Sequence, residues 1–250
     1  MSEVKTIILR DNMRKYLKDR LSGKSMASNR SSVKGRVVIH GRDKGEQNFK
    51  LITDKSNLIV YRGRNWLMSR AFGMDMATGV RPDWYNRTIK WFGIGTGGTP
   101  VGGDPLDIAS PELVDCSLAA HEDIGGLSYM ETTDGGYQYK AFDGGYPLFI
   151  HDPDVPVGPE VLCTDDLTTD PVDGLDYYGD NYLVGLIQVT LDSTEGNGSG
   201  YLDLNEVGLF CSETQAGYLD ADINIFARCT FSTIRKSSAR ELIFTWYIFF

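Results

Sequence analysis

Residues 201–250, YLDLNEVGLFCSETQAGYLDADINIFARCTFSTIRKSSARELIFTWYIFF, decide the fold. Three strand-like runs stand here, at 201–211, 223–231 and 242–249. They are rich in β-branched and aromatic residues, which suit a pleated, half-buried surface. A fourth run precedes them at 182–191, where Leu183, Ile187, Val189 and Leu191 alternate imperfectly with polar neighbours. Turns rich in Gly, Ser, Asn and Asp separate the four. The closing run LIFTWYIFF is apolar on both faces, so it needs cover on both sides, from its own fold or from a neighbouring subunit. Left exposed, it is an aggregation hazard. The expected fold is mainly β, an antiparallel β-sandwich, with a barrel as the alternative.

Upstream, 36–40, 48–53, 57–61 and 88–94 read as strands, and 65–74 as a short helix with Trp66, Leu67, Arg70, Ala71 and Met74 on one side. The runs 127–131 and 137–142 flank TTDGG and predict a hairpin. Residues 143–181 are rich in Asp, Pro and Gly and contain no Lys or Arg. That is long for a compact connection, so the segment reads as a functional excursion or a partner-bound loop. At the other end, Val4, Ile7, Ile8, Met13, Leu17 and Leu21 fall three or four apart and predict a basic helix over 4–21. SGKSMASNRSSVKG (22–35) reads as a flexible linker. The expected organisation is an arm of basic helix and linker over 1–35, then a β-sandwich domain over 36–250 with a long, acidic, loop-rich insertion at about 110–181.

The charge follows this division. Residues 1–100 hold 20 Lys+Arg against 8 Asp+Glu, and residues 101–250 hold 5 against 26. The formal net charge of -9 therefore hides a +12 part and a -21 part. A uniformly basic nucleic-acid binder is excluded, and so is a uniformly acidic disordered chain. No apolar run approaches the roughly 18–20 residues of a membrane-spanning helix, so no membrane association is expected. The opening MSEVKTIILRDNMRK lacks the apolar centre of a secretion signal. Four cysteines (Cys116, Cys163, Cys211, Cys229) form no C-x-x-C pair, and three histidines show no metal spacing. Reduced thiols are one reading of the cysteines. A disulfide between Cys211 and Cys229 is the other, if their strands pair.

Few stretches carry chemistry. Gly93-Ile-Gly95-Thr-Gly97-Gly98 satisfies G-x-G-x-x-G after a strand, but a dinucleotide site also needs a helix to open there. Pro100, Gly102, Gly103 and Pro105 oppose one, so a glycine turn leaving a strand is expected. A glycosidase needs two carboxylates roughly 5–10 Å apart. The 26 acidic residues of 101–250 single out no pair, although Trp84, Tyr85, Tyr177, Tyr178 and Tyr182 would suit sugar stacking. Asp152–Asp154 and Asp165–Asp166 offer oxygen ligands for calcium, but no EF-hand spacing is present. No catalytic residue, metal site or cofactor is expected. On the predicted N-terminal helix, Arg10, Arg14, Lys15, Lys18 and Arg20 are candidates for docking on an acidic surface, including the acidic part of a second copy. No recognised motif supports sequence-specific nucleic-acid binding.

Three segments, in order, resemble structural proteins of tailed bacteriophages. They are NLIVYRGRNWLMSRAFG (57–73), IKWFGIGTGGTPVGGDPLD (89–107), and LNEVGLFC (204–211) followed by IFARCTFSTIRKSSARELIFTWYIFF (225–250). The resemblance implies a virion component of a tail, neck or baseplate, built on a β-sandwich and working as a symmetric multimer. It would be made in the host cytoplasm and would dock neighbouring virion proteins or fibres. The first 50 residues and the acidic stretch 110–181 have no counterpart in it. Two charges lie inside the resemblance. If their strands pair, Glu206 and Arg228 form a partly buried bridge that fixes sheet register; otherwise both face solvent. Two other functions remain open. One is a receptor- or glycan-binding tail protein with its tip in 134–182, which deleting that region would disable. The other is a virion-associated glycosidase, which polysaccharide hydrolysis by the purified chain would reveal.

Overall fold

The computed structural model describes residues 34–72, 87–100, 107–126, 129–132, 136–152, 155–157, 184–212, 214–215, 218–219 and 223–249. The predicted helix 4–21, most of the linker and the docking candidates Arg10, Arg14, Lys15, Lys18 and Arg20 lie outside these residues. The chain divides into two compact units. The larger takes Lys34–Tyr146 and Ile187–Tyr247, and the smaller takes 1–33, 147–186 and 248–250.

The larger unit is mainly β and antiparallel. Its strands are β1 (Lys34–Asp43), β2 (Lys50–Ile59), β3 (Thr88–Gly95), β4 (His121–Glu122), β5 (Tyr129–Glu131), β6 (Gln138–Ala141), most of β9 (Val184–Leu191), β10 (Tyr201–Ser212), β13 (Asn224–Ser237) and most of β14 (Arg240–Phe249). They follow one continuous path, β5-β6-β3-β10-β13-β2-β1-β14-β9, with β4 also on β3. A small hairpin pairs β11 (Thr214–Gln215) with β12 (Tyr218–Leu219). In the smaller unit, β7 (Leu148–Asp152) pairs antiparallel with β8 (Val155–Val157) and with residues 184–186 of β9.

The sheet of the larger unit curls. Five strand spacings separate β3 from β14 along the path, about 24 Å in a flat sheet at ~4.8 Å each. Yet the rings of Phe92 in β3 and Phe244 in β14 lie 4.9 Å apart. Asp143, just beyond β6, ties that end of the path to β9. Its carboxylate accepts hydrogen bonds from the Thr190 backbone N–H at 3.0 Å, the Thr190 hydroxyl at 2.6 Å and the Gln188 amide at 2.8 Å. Phe92, Ile94, Leu191, Phe244 and Trp246 are buried in this core. The other face of β3 is buried too. Trp91 packs there with Val60, Leu118, Tyr139, Phe210 and Ile225.

The only α-helix among the described residues, α1 (Tyr61–Phe72), starts earlier than its sequence suggests. No Ser, Thr, Asp or Asn caps it. The first intrahelical bond runs from Arg64 N–H to the Val60 carbonyl, and the Tyr61 N–H donates to Leu113 O at 2.8 Å. A tertiary contact thus replaces the local capping signal. A Cβ on Gly63 would stand 2.1 Å from the Phe226 carbonyl oxygen, so glycine lets the helix lie against β13. Trp66 completes the contact, edge-on to Phe226 at 6.0 Å and donating through Nε1 to Arg87 O.

The two cysteines placed on paired strands do not meet. Cys211 stands opposite Asn224, and Cys229 opposite Val207. Five residues of β13 separate Cys229 from the position facing Cys211, roughly 17 Å of strand, where a disulfide tolerates about 7 Å between Cα atoms. Both are free thiols. Burial pushes the Cys211 thiol up and moves Cys229 to about 12, so neither forms thiolate readily at neutral pH. Native protein treated with a maleimide will therefore label the exposed Cys116 and spare Cys211 and Cys229 until urea unfolds the chain. Rapid native labelling of either buried thiol, read by peptide mapping, would contradict this packing.

Candidate functional site: a buried carboxylate–guanidinium junction

Glu206 lies on β10 between its two partner strands, opposite Gly95 of β3 and Thr230 of β13. Its side chain has no exposed surface. A bare carboxylate there would cost several kcal/mol, so it must be paired and fully hydrogen-bonded. Oε1 accepts from Gly97 N–H at 3.0 Å and Ala120 N–H at 2.8 Å, while Oε2 accepts from Ala119 N–H at 3.1 Å and from Arg228 Nε and Nη2 at 2.9 and 2.6 Å. Arg228, opposite Gly208 two residues along β10, also donates through Nη1 to Asp115 Oδ2 at 2.7 Å. Desolvation works against the buried guanidinium's charge, but the Asp115 and Glu206 carboxylates overcome it and raise its pKa.

The glycine turn is shaped around this carboxylate. A Cβ on Gly95 would come within 2.5 Å of both Glu206 Oε1 and the Ala120 carbonyl, and one on Gly97 within 2.7 Å of Oε1. Gly98 is tighter, since its Cβ would sit 2.1 Å from the Asn205 carbonyl oxygen. Its N–H donates to Asn205 Oδ1 at 2.6 Å, and Asn205 in turn donates to Thr99 Oγ1. Thr96 N–H bonds Ala120 O, and Ala109 N–H bonds Gly98 O. The G-x-G-x-x-G stretch therefore opens no helix. Its glycines admit a side chain and a neighbouring loop, as expected of a turn leaving a strand.

The junction joins β3, β10, β13 and the loop 107–120. Sequence reading singled out Glu206 and Arg228, and the structure brings them together. It missed Asp115, Asn205 and the amides of Ala119 and Ala120. Asp115 lies within the stretch read as an acidic insertion at 110–181. Its neighbours up to Ile124 pack into the larger unit, where Leu118 and Ile124 are buried. Acidic composition hid this, because Asp115 pairs with a buried arginine while the nearby Glu112 and Asp123 face water.

A second buried cation closes the far end of β13. Lys236 has no exposed surface, and its ammonium donates to Asp192 O at 2.7 Å, Asn197 Oδ1 at 2.9 Å and Ser237 O at 3.1 Å. It pins the turn 192–200, whose buried Glu195 pairs with Lys140. Desolvation lowers its pKa to about 8, with Asp192, Glu195 and Glu241 opposing the shift and Lys140 adding to it. The unfolded chain holds this proton to about pH 10.4. Between the two values the unfolded state binds more protons than the native one, so this group makes stability rise with pH. The rise totals about 3 kcal/mol from pH 8 to 10.4. Urea titrations of wild type and Lys236→Met across that range should show the difference. A pH dependence unchanged by the substitution would refute it.

Among the described residues, no group of three His, Cys, Asp or Glu side chains is arranged to hold a metal ion. The arrangement can lock register and bind a loop, and its polar atoms are engaged with one another. No family model, no curated protein and no solved structure matches this chain.

Proposed function

We propose that the chain is a structural component of a tailed-bacteriophage virion, in its tail, neck or baseplate. It assembles as a symmetric multimer and docks neighbouring virion proteins or fibres. On this reading the curled sheet is layered as a β-sandwich, a basic N-terminal helix reaches a neighbour, and an acidic, loop-rich insertion presents the opposite charge. It acts by burying β-surface and pairing charges, without turnover.

One observation carries the proposal. The three segments that resemble phage structural proteins are far apart in sequence, and each supplies a contact that another segment needs. Gly63 of the first lies against Phe226 of the third. Gly97 of the second donates to Glu206 of the third. A resemblance confined to chance matches would have no reason to fall on mutually dependent positions.

The test is an image reconstruction of intact particles carrying this chain. The expected result is density for the chain at a fixed copy number around a tail, neck or baseplate axis. Particles that lack the chain, or that retain full structure and infectivity when it is deleted, would refute the proposal.

A further inference from the structure

The open edge of β2 is the strongest unassigned feature of the larger unit. From Lys50 to Asn57, β2 pairs with β1 along one side; its backbone pairs with β13 only at Leu58 and Ile59, and Cys229 Sγ of β13 also reaches the Ser56 carbonyl at 3.9 Å. Among the described residues, no strand pairs with its other side over 50–57. Most side chains of this stretch face water on both faces of the strand. Leu51 is 56% exposed and Ile52 40%. Every second residue of such an edge turns its backbone N–H and C=O outward, which makes it a template for another strand.

We propose that this edge pairs antiparallel with the same edge of a second copy, about a two-fold axis at Thr53. An isologous antiparallel pair sets a residue opposite its own counterpart at the axis, and its neighbours opposite each other in mirror order. Four centres oppose at least five residues within the open edge, at Ile52, Thr53, Asp54 and Lys55. An axis at Asp54 opposes two aspartates, and one at Lys55 opposes two lysines. An axis at Thr53 opposes threonine to threonine, Ile52 to Asp54, Leu51 to Lys55 and Lys50 to Ser56, and brings Lys50 diagonal to Asp54 of the second copy. An axis at Ile52 also avoids like charges directly opposite, but it centres on the residue that the β1–β2 register leaves unpaired and spans only 50–54. The axis at Thr53 spans 50–56 without such a clash, and it covers the exposed Leu51 and Ile52 with the aliphatic stem of Lys55 and the neighbouring strand. The β1–β2 register slips at Ile39/His40, which leaves Ile52 as the extra residue of a bulge; this twists the edge and keeps the pairing short.

The inference stands on the strand edge, and a dimer would not itself place the chain in a virion. Its test uses the full chain. Sedimentation at about 100 µM should show a reversible dimer of micromolar affinity. Thr53→Lys, which opposes two lysines at the axis, should weaken it by roughly tenfold or more while leaving the thermal melt unchanged. In a Cys116→Ser background, Thr53→Cys should cross-link between copies under mild oxidation, because directly opposed residues stand about 4.5–5.5 Å apart at Cα. Ser232→Cys, on the exposed part of β13, is the control. A monomer at that concentration, an association indifferent to Thr53→Lys, or cross-linking at 53 no faster than at 232 would each overturn the proposal.

Discussion

Replacing Glu206 by glutamine will lower the unfolding free energy by about 3–5 kcal/mol, the scale for removing one partner of a buried ion pair. The size follows from the geometry. Both carboxylate oxygens face donors only: Gly97 and Ala120 N–H on one side, Ala119 N–H and Arg228 on the other. Whichever way the amide of glutamine turns, its NH2 meets another donor, and Arg228 keeps Asp115 as its only carboxylate partner. Against a total of roughly 5–15 kcal/mol, the loss removes a large share of the chain's stability. Glu206→Leu combined with Arg228→Met should cost less than the two single changes summed, because neither member of the pair is left buried without the other, while the partly exposed Asp115 keeps access to water. The coupling should reach about 1–3 kcal/mol in a urea-based double-mutant cycle. A loss below 1 kcal/mol for the single change would mean the pair is solvated.

Alanine at Gly98 or Gly63 should cost as much or more, above about 3 kcal/mol, or prevent accumulation of folded protein. Each added methyl would stand 2.1 Å from a backbone carbonyl oxygen, of Asn205 and Phe226 respectively. Backbone in a sheet centre cannot give way as a flexible side chain can. Gly144→Ala is the matched control, since a Cβ there meets nothing within 4 Å. It should leave stability within about 0.5 kcal/mol. Soluble yield and urea midpoints of the three variants decide the matter. A Gly98→Ala protein as stable as wild type would show that the turn is not held against β10.

The long C-terminal strands were legible because burial wrote itself into their composition. The run 242–249 is apolar on alternate and intervening positions alike, and β14 is buried on both faces over 242–247. The early start of α1 was not legible. Its capping partner is the carbonyl of Leu113, more than forty positions away, and no local residue announces it. The Glu206–Arg228 pair could be named as conditional on strand pairing, and that condition is met. Its third member, Asp115, sits in an acidic region where nothing local distinguishes one carboxylate from the next. The disulfide between Cys211 and Cys229 was excluded by a register that composition does not encode. The glycines of GIGTGG were legible as a turn, while their cause, a carboxylate from a strand a hundred residues later, was not.

Native-state hydrogen exchange of the Gly97, Ala119 and Ala120 amides tests the central claim most directly. All three donate to Glu206. They should exchange in wild type only through global unfolding, at the rate of the β10 and β13 backbone amides. In Glu206→Gln they should lose more protection than the amides joining β1 and β2, which should fall only by the loss of global stability. Fast exchange of the three amides in wild type, or equal protection in both proteins, would contradict a junction built on Glu206.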